Sequence, residues 1–260
     1  MSTLAWIILA AAAGGAISVL FAASFLLTPE RVRKAALPHF VSFATGTLLG
    51  AALLALLPRA IEAASTAKLG RIGLAMVMGI LLFFVLEKWI LWRHVHGDED
   101  AGHAHAHGHH HASQNRAAAN LILIGDGIHN ALDGVAIAAA FMSSTDIGIV
   151  TSIAVIAHEI PHEVGDFAIL LNGGMSRIRA LAFNMLSGLT SVLGGVVAYF
   201  ALRHALEALP YAIALAAASL LYVAMANLIP GLQRQLSVAA GVRQVVLMAA
   251  GATLIFYLAD

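Results

Sequence analysis

The sequence predicts an all-α, polytopic membrane protein in which eight transmembrane helices form a single domain, residues 1–260. Two observations lead to this prediction. Hydrophobic residues make up 60% of the chain and charged residues only 11%, whereas a soluble domain has about 25% charged residues. In addition, apolar stretches long enough to cross a bilayer follow one another along the chain with short connections.

The apolar stretches number eight, and each one is predicted to be a transmembrane helix. The first lacks the basic residues that precede the core of a cleaved signal peptide, so we expect it to be retained. Prolines stand near several segment ends, where proline commonly terminates a helix, whereas Pro161 falls inside the fifth segment. In chain order the segments cover residues 4–27, 39–57, 72–92, 118–142, 147–171, 179–200, 210–230 and 243–259.

The distribution of basic residues predicts the orientation. With the N-terminus outside, ten Lys or Arg residues fall on the cytoplasmic side and four on the outer side, as the positive-inside rule requires. We therefore expect a multi-pass protein of the plasma (inner) membrane with both termini outside. The chain has 14 basic and 14 acidic residues, which gives no reason to expect a nucleic-acid partner. The lipid bilayer is the expected surrounding, and a homodimer is compatible with the sequence.

A short internal repeat connects the second and seventh segments. Residues 48–58 resemble residues 220–230 without gaps, and both stretches end in proline. The two segments cross the membrane in opposite directions, and inverted repeats of this kind are typical of transporters. We expect helices 1–3 and 6–8 to be related by such a repeat around helices 4 and 5. The alternative is a chance similarity between two helices rich in Leu and Ala.

Two polar clusters interrupt the fourth and fifth segments. Ionisable side chains are rare at membrane depth and usually mark an ion pathway. Helical spacing puts each cluster on one face of its helix, so that two such faces can enclose a cation. Imidazole together with carboxylate suits zinc, and also iron, cobalt or nickel, whereas simple hydrogen bonding between the helices is the alternative. In chain order the residues are Asp126, His129, Asn130, Asp133, His158, Glu159, His162, Glu163 and Asp166.

Two other functions stay open on these motifs. Residues 158–162 match H-E-x-x-H, the zinc metalloprotease pattern, in which Glu159 would be the general base. In intramembrane zinc proteases this motif precedes an Asp element similar to residues 132–134, whereas here the order is reversed. A metal exporter of the cation-diffusion-facilitator type is the other alternative, because His-x-x-x-Asp pairs occur on both segments. That family typically has a C-terminal soluble domain, which is not expected here. The eight apolar segments also fit that family poorly.

Residues 129–134 and 158–166 resemble the signatures of the ZIP (Zrt-, Irt-like) metal transporters, in the subgroup with His-Glu-x-Pro-His-Glu-x-Gly-Asp. Residues 79–88 and the Leu-Leu-Pro end of segment two extend the resemblance. It implies a protein that is not an enzyme, has no resident cofactor, and imports a divalent transition metal into the cytosol. Zinc is the first expected substrate, with Fe²⁺, Mn²⁺ and Cd²⁺ as further ones. By motif position, the implied ligands are His129, Asn130, Asp133, His158, Glu159 and His162.

Three further acidic residues, Asp126, Glu163 and Asp166, are expected to line the pathway or to belong to a secondary metal position. Some family members complete a second metal position with a Glu on segment six. In this chain we find only hydroxyl side chains for that purpose on segment six, those of Ser187, Thr190 and Ser191. The second position is therefore expected to differ from theirs.

A His-rich stretch separates segments three and four. It holds eight of the 13 histidines and is predicted to be a disordered cytosolic loop, residues 94–117. We expect it to capture or sense metal with low affinity. The alternative is a solvated linker that binds metal only incidentally.

Overall fold

Helices make up nearly all of the described chain, which in this computed structural model comprises residues 1–64, 69–96, 110–172 and 174–260. No strand occurs within these ranges, so the predicted all-α fold class is confirmed. We label the long helices in chain order. They are α1 (Thr3–Phe25), α2 (Glu30–Ala63), α3 (Leu69–His96), α4 (His110–Ser143), α5 (Thr145–Asn172), α6 (Arg177–Arg203), α7 (Leu206–Gln233) and α8 (Val238–Ala259).

Seven of these helices, all except α4, are long and apolar enough in their described residues to cross a membrane. The middle of α4 carries the polar cluster predicted from the sequence, which makes this helix less apolar than the others. A membrane crossing by α4 therefore stays a prediction. The second helix is longer than its apolar segment and begins at Glu30, where an ion pair with Lys34 at 2.5 Å supports its first turns.

Both α2 and α7 contain a π-helical segment close to a proline. The segments Ala51–Leu56 and Val223–Leu228 have six residues each, and Pro58 and Pro230 follow them after one intervening residue. In each helix, the residue before the proline donates its N–H to a carbonyl five residues back. A proline ring clashes with the carbonyl four residues earlier, so a wider turn relieves the clash. These prolines widen their helices and do not end them, contrary to the expectation from the sequence.

The helices pack as two groups of four. Helices α1, α4, α5 and α6 contact one another, most extensively α4 with α6, and we call them the α4/α5 group. In the second group, α2 packs on α8 and on α7, and α3 packs on α7; we call it the α2/α7 group. The groups meet mainly where α2 contacts α5 and where α7 contacts α4. The two helices with polar clusters therefore lie at the boundary between the groups.

The main hydrophobic core lies at the end of the bundle that holds both termini. It includes Ile7 near the start of α1 and Ile255 near the end of α8. At the opposite end there are two small clusters, around Phe25 and Phe167, and a cavity of about 900 Å³ between α1, the start of α2, α5 and α6. The bundle is therefore tightly closed at the end with the termini and more open at the other.

Close backbone contact fixes α4 against α6. A Cβ atom on Gly134 would overlap the carbonyl of Ser191, and one on Gly194 would overlap the carbonyl of Ala131. Only glycine permits two helices to approach this closely. The contact determines where the polar face of α4, including Asp133 beside Gly134, lies relative to its neighbours.

Candidate metal centre

The polar faces of α4 and α5 lie opposite each other in the α4/α5 group. Ser144 alone separates the two helices along the chain, and they pack side by side in opposite directions. On α4, His129 and Asp133 are one turn apart and share a face. On α5, His158 and Glu159 are consecutive and lie at the level of that face. The sequence therefore brings two imidazoles and two carboxylates into one space.

One donor atom from each of these four residues lies within 4.8 Å of the others, and we call this set the four-donor group. His158 Nε2 is 3.2 Å from His129 Nε2, 3.2 Å from Asp133 Oδ2 and 3.4 Å from Glu159 Oε1. His129 Nε2 is 3.2 Å from Glu159 Oε1 and 3.8 Å from Asp133 Oδ2. Tetrahedral zinc with nitrogen and oxygen ligands at about 2.0–2.1 Å separates its ligands by about 3.3–3.4 Å. The separations in the four-donor group therefore match a zinc-sized space.

The carboxylates of the four-donor group are buried and face mainly the two imidazoles. Asp133 is 3% exposed and Glu159 is 2% exposed. Glu159 Oε2 has no hydrogen-bond partner, while Glu159 Oε1 and Asp133 Oδ2 face imidazole nitrogens at 3.2–3.4 Å. A buried charge without a partner is strongly unfavourable unless a counter-charge or a metal ion compensates it. Proximity to two imidazole nitrogens makes a cation the natural counter-charge here.

The backbone orients the imidazole of His158. Its Nδ1 lies 3.2 Å from the carbonyl oxygen of Ala154, one turn earlier. A carbonyl only accepts hydrogen bonds, so Nδ1 must carry the proton in this bond, and Nε2 then presents its lone pair to the four-donor group. An outer partner of this kind is typical of histidines that bind metals.

A second cluster adjoins the first. His162 Nδ1 lies 3.6 Å from Asp126 Oδ1 and 3.6 Å from Asp166 Oδ2, while its ring stacks on that of His129 at 5.0 Å between centroids. Asn130 donates from Nδ2 to Asp126 Oδ1 at 2.9 Å. Of the six predicted ligands, four thus form the four-donor group, whereas Asn130 and His162 lie beside Asp126.

One buried polar residue of this region was overlooked in the sequence. Asn184 on α6 is fully buried and donates from Nδ2 to Glu163 Oε2 at 2.6 Å. On this segment, only Ser187, Thr190 and Ser191 were predicted as possible contributors to a metal position. A signal was nevertheless present, because Asn184, Ser187 and Ser191 follow the three- and four-residue spacing of one helical face.

The His-rich stretch lies largely outside the described residues. Residues 94–96 belong to the end of α3 and residues 110–117 to the start of α4. Residues 97–109 are not described, so the expected disorder and metal-capturing role of the stretch remain predictions.

Comparison with known proteins identifies relatives over nearly the whole chain. The family model described as "ZIP Zinc transporter" matches residues 2–259. Human zinc transporter ZIP10 is 37% identical over 139 residues, which cover 54% of this chain and 17% of that protein. Mouse zinc transporter ZIP4 is 46% identical over 112 residues, covering 43% of this chain and 17% of that protein. Zinc transporter ZIP13 of Pongo abelii is 32% identical over 230 residues, covering 83% and 64% respectively. The matched region is thus only part of the length of these relatives.

Proposed function

The chain belongs to the ZIP zinc transporter family, and we propose that it carries zinc across a membrane by way of the four-donor group. The observation that carries this proposal is the convergence of His129, Asp133, His158 and Glu159 from two adjacent helices into one buried space. Their separations suit a four-coordinate zinc ion. The ion is the substrate, and its ligands come from helices that lie at the boundary between two helix groups.

The donor set also bears on the choice of metal. Two imidazoles and two carboxylates favour zinc and related transition metals over Mg²⁺ or Ca²⁺, which prefer shells of oxygen alone. Fe²⁺, Mn²⁺ and Cd²⁺ are the further proposed substrates. Selection among them depends on geometry and availability as well as on the ligands.

An eight-helix arrangement with an inverted repeat is part of the proposal. Two observations support it. The π-helical segments Ala51–Leu56 and Val223–Leu228 have equal length and the same spacing to a following proline. Moreover, the packing pairs correspond when α1, α2, α3 and α4 are exchanged for α6, α7, α8 and α5: α4–α6 becomes α5–α1, α2–α8 becomes α7–α3, and α2–α5 becomes α7–α4. Such an exchange is expected of two halves related by a two-fold axis in the membrane plane.

The proposed direction of transport is into the cytosol. Side-chain exposure rises from 1% at His158 and 4% at Asp133 to 18% at His129 and 35% at His162. The more exposed imidazoles of the metal centre therefore lie nearer the end of the bundle opposite the termini, where the core is less continuous, although Asp126 beside His162 stays buried. With both termini outside, as the positive-inside rule favours, this end faces the cytosol of a cell whose plasma membrane holds the protein. The arrangement suits release of metal to the cytosol.

The division into two helix groups suggests how access alternates. Sliding or rocking of the α4/α5 group against the α2/α7 group would expose the metal centre to one side and then to the other. The hydrogen bond from Arg59 Nε to Ser143 Oγ, 3.0 Å long, crosses between the groups at the closed end. Such a bond would have to break when that end opens.

The protease alternative is less consistent with the geometry. A zinc protease with H-E-x-x-H binds the metal through both histidines and keeps the Glu as a general base. Here His162 lies with Asp126 and Asp166, while Glu159 Oε1 lies within 3.4 Å of His129 and His158. This arrangement favours a ligand role for Glu159 over that of a general base. Family membership likewise supports a transporter over an enzyme.

Zinc flux into proteoliposomes tests the proposal. Asp133→Asn removes one charged donor of the four-donor group without a large change in volume. It should lower zinc uptake at least tenfold, because loss of even an outer partner that orients a metal ligand costs about 10- to 100-fold. Asp146→Asn is the matched control, because Asp146 is exposed in the first turn of α5. Absence of zinc flux in the wild-type protein, or wild-type flux in Asp133→Asn, would contradict the proposal.

A further inference from the structure

The cavity at the end of the bundle opposite the termini is lined by residues other than those of the metal centre. Its walls come from the end of α1, the start of α2, the second half of α5 and the start of α6. Its volume of about 900 Å³ lies within the range of pockets that bind small molecules, about 300–1,000 Å³. The cavity is therefore large enough to hold part of an organic molecule.

The interior of the cavity is apolar. Within residues 20–27 of α1 and residues 164–171 of α5, the lining side chains are aliphatic or aromatic apart from Ser24 and Gly165. The hydroxyl of Ser24 donates to the carbonyl oxygen of Leu20, so its polar group is already satisfied. Each of these two walls extends about 10 Å along its helix. An apolar slot of this depth suits a hydrocarbon chain that lies along the helices, since filling it adds dispersion contacts.

The charge at the mouth of the cavity is mainly positive. Arg33 and Lys34 in the first turns of α2, and Arg177 at the start of α6, belong to the lining. Glu30 is the one acidic residue among the described lining residues, and it forms an exposed ion pair with Lys34 at 2.5 Å. Exposed pairs of this kind contribute little to stability. Lys34 can therefore turn to another anion at small cost.

The guanidinium group of Arg33 is fixed at the mouth. Its Nη1 atom donates to the carbonyl oxygen of Leu26 at 3.0 Å and to that of Thr28 at 2.7 Å. The group has three further N–H donors, on Nε and Nη2. Arginine binds phosphate through pairs of such donors. A fixed guanidinium beside two further basic side chains suits a phosphate group.

We propose that this cavity binds one anionic glycerophospholipid, with an acyl chain between α1 and α5 and the phosphate beside Arg33, Lys34 and Arg177. Basic pockets between membrane helices bind anionic headgroups in this way. A zwitterionic lipid has the same chains but adds a cation, which the basic mouth repels. Under the proposed orientation, the cavity opens to the cytosolic leaflet, which carries the negative surface potential of anionic lipids.

The bound lipid contacts both helix groups, because α2 belongs to the α2/α7 group and the other walls belong to the α4/α5 group. Sliding or rocking of one group against the other changes the shape of the cavity. A ligand that binds one conformation more tightly shifts the equilibrium towards it. Anionic lipid should therefore alter zinc flux, a consequence that rests on the proposed function, whereas lipid binding does not.

Native mass spectrometry of the purified full chain tests the site. The protein, in detergent, receives equal amounts of phosphatidylglycerol and phosphatidylcholine with the same acyl chains. One phosphatidylglycerol per chain should be retained in preference to phosphatidylcholine. Lys34→Gln and Arg177→Gln should each lower its retention about fivefold, since one basic residue near anionic lipid contributes about 1 kcal/mol. Arg234→Gln is the matched control, because Arg234 is exposed at the same end of the bundle but does not line the cavity.

Filling the cavity gives an independent test of the apolar slot. Ala168→Phe enlarges a lining side chain of α5 without a change of charge, and should exclude the lipid while zinc still raises the thermal stability. If this variant does not purify, Ala23→Leu on the α1 wall makes a smaller change and should lower retention severalfold. Glycerol 1-phosphate, which has no acyl chain, should not displace the lipid.

Three results would overturn the lipid site. They are equal retention of the two lipids, equal retention of phosphatidylglycerol by Arg177→Gln and Arg234→Gln, and displacement by glycerol 1-phosphate, which would show that phosphate alone is recognised.

Proteoliposomes measure the effect of the lipid on flux. Wild-type zinc flux should change severalfold when phosphatidylglycerol replaces part of the phosphatidylcholine, and Ala168→Phe should show a smaller change. The surface charge of the bilayer acts on both proteins equally, so the difference between them isolates the cavity. Zinc flux with the same lipid dependence in both proteins would overturn the effect on transport and leave the proposed function standing. Absence of zinc flux from protein that still retains phosphatidylglycerol would contradict the proposed function and leave the lipid site standing.

Discussion

Replacement of His158 by alanine should have the largest effect on zinc binding of any single change in the four-donor group. Its Nε2 atom lies within 3.4 Å of donor atoms of all three others, His129, Asp133 and Glu159. The residue is 1% exposed, so water cannot readily replace the lost ligand. His158→Ala also leaves the two carboxylates without one of their neighbouring nitrogens.

The expected magnitude follows from the number of donors. Structural four-coordinate zinc sites bind zinc with about 10–16 kcal/mol in total near pH 7, and we apply this range to the four-donor group. One donor in four then contributes about 2.5–4 kcal/mol. Since each 1.4 kcal/mol is tenfold in affinity, the loss should be roughly 60- to 700-fold. Zinc flux at low external zinc should fall with the affinity.

Competition with a zinc indicator measures the affinity of the purified protein, and uptake into proteoliposomes measures the flux. His204→Ala is the matched control, because His204 is exposed at the C-terminal end of α6, away from the metal centre. Gel filtration and thermal unfolding show whether both variants are folded. A folded His158→Ala protein with wild-type zinc affinity and wild-type flux would refute the assignment of His158 as a ligand.

Four further predictions test neighbouring parts of the account. His162→Ala should slow zinc uptake strongly yet lower the equilibrium zinc affinity less than the substitution above, because His162 lies beside the four-donor group; comparable losses of affinity would argue against this division. Glu159→Gln should impair flux, and the wild-type protein should cleave no membrane peptide; cleavage that the substitution abolishes would instead indicate a protease. Deletion of Gly102–Ala112 should preserve most uptake and metal preference while reducing the number of weakly bound zinc ions measured by mass spectrometry, and complete loss of uptake by well-expressed protein would assign the loop to the essential path. Gly134→Ala should destabilise the protein by about 1–3 kcal/mol, because the new Cβ would overlap a carbonyl of α6; an unchanged unfolding temperature would be inconsistent with that close contact.

The fold could be predicted from the sequence where composition alone determines the outcome. A run of apolar residues that avoids charge identifies a membrane helix, so seven of the predicted segments correspond to candidate spans. Hydropathy does not identify where a helix begins outside the apolar region. The start of α2 at Glu30, before its predicted segment, was therefore not predicted. The π-helical segments before Pro58 and Pro230 were not predicted either, because whether a proline ends a helix or widens it depends on the packing around it.

The residues of the candidate metal centre were predicted as one set, whereas their division into two clusters was not. Helical periodicity puts His129 and Asp133 on one face, which indicates that they act together. It does not determine whether His162, one turn after His158 on α5, turns towards that group or towards Asp126. Asn184 shows the same limit, since its importance depends on a contact between α5 and α6 that no local pattern on α6 reveals.

X-ray absorption spectroscopy of the zinc-loaded protein tests the central claim most directly. Protein lacking Gly102–Ala112 avoids most of the signal from the His-rich stretch. We expect a four-coordinate shell of nitrogen and oxygen at about 2.0–2.1 Å, with the outer-shell scattering of two imidazoles, reduced to one imidazole in His158→Ala. A shell of six oxygens, or a spectrum unchanged by His158→Ala, would contradict the claim that zinc binds in the four-donor group.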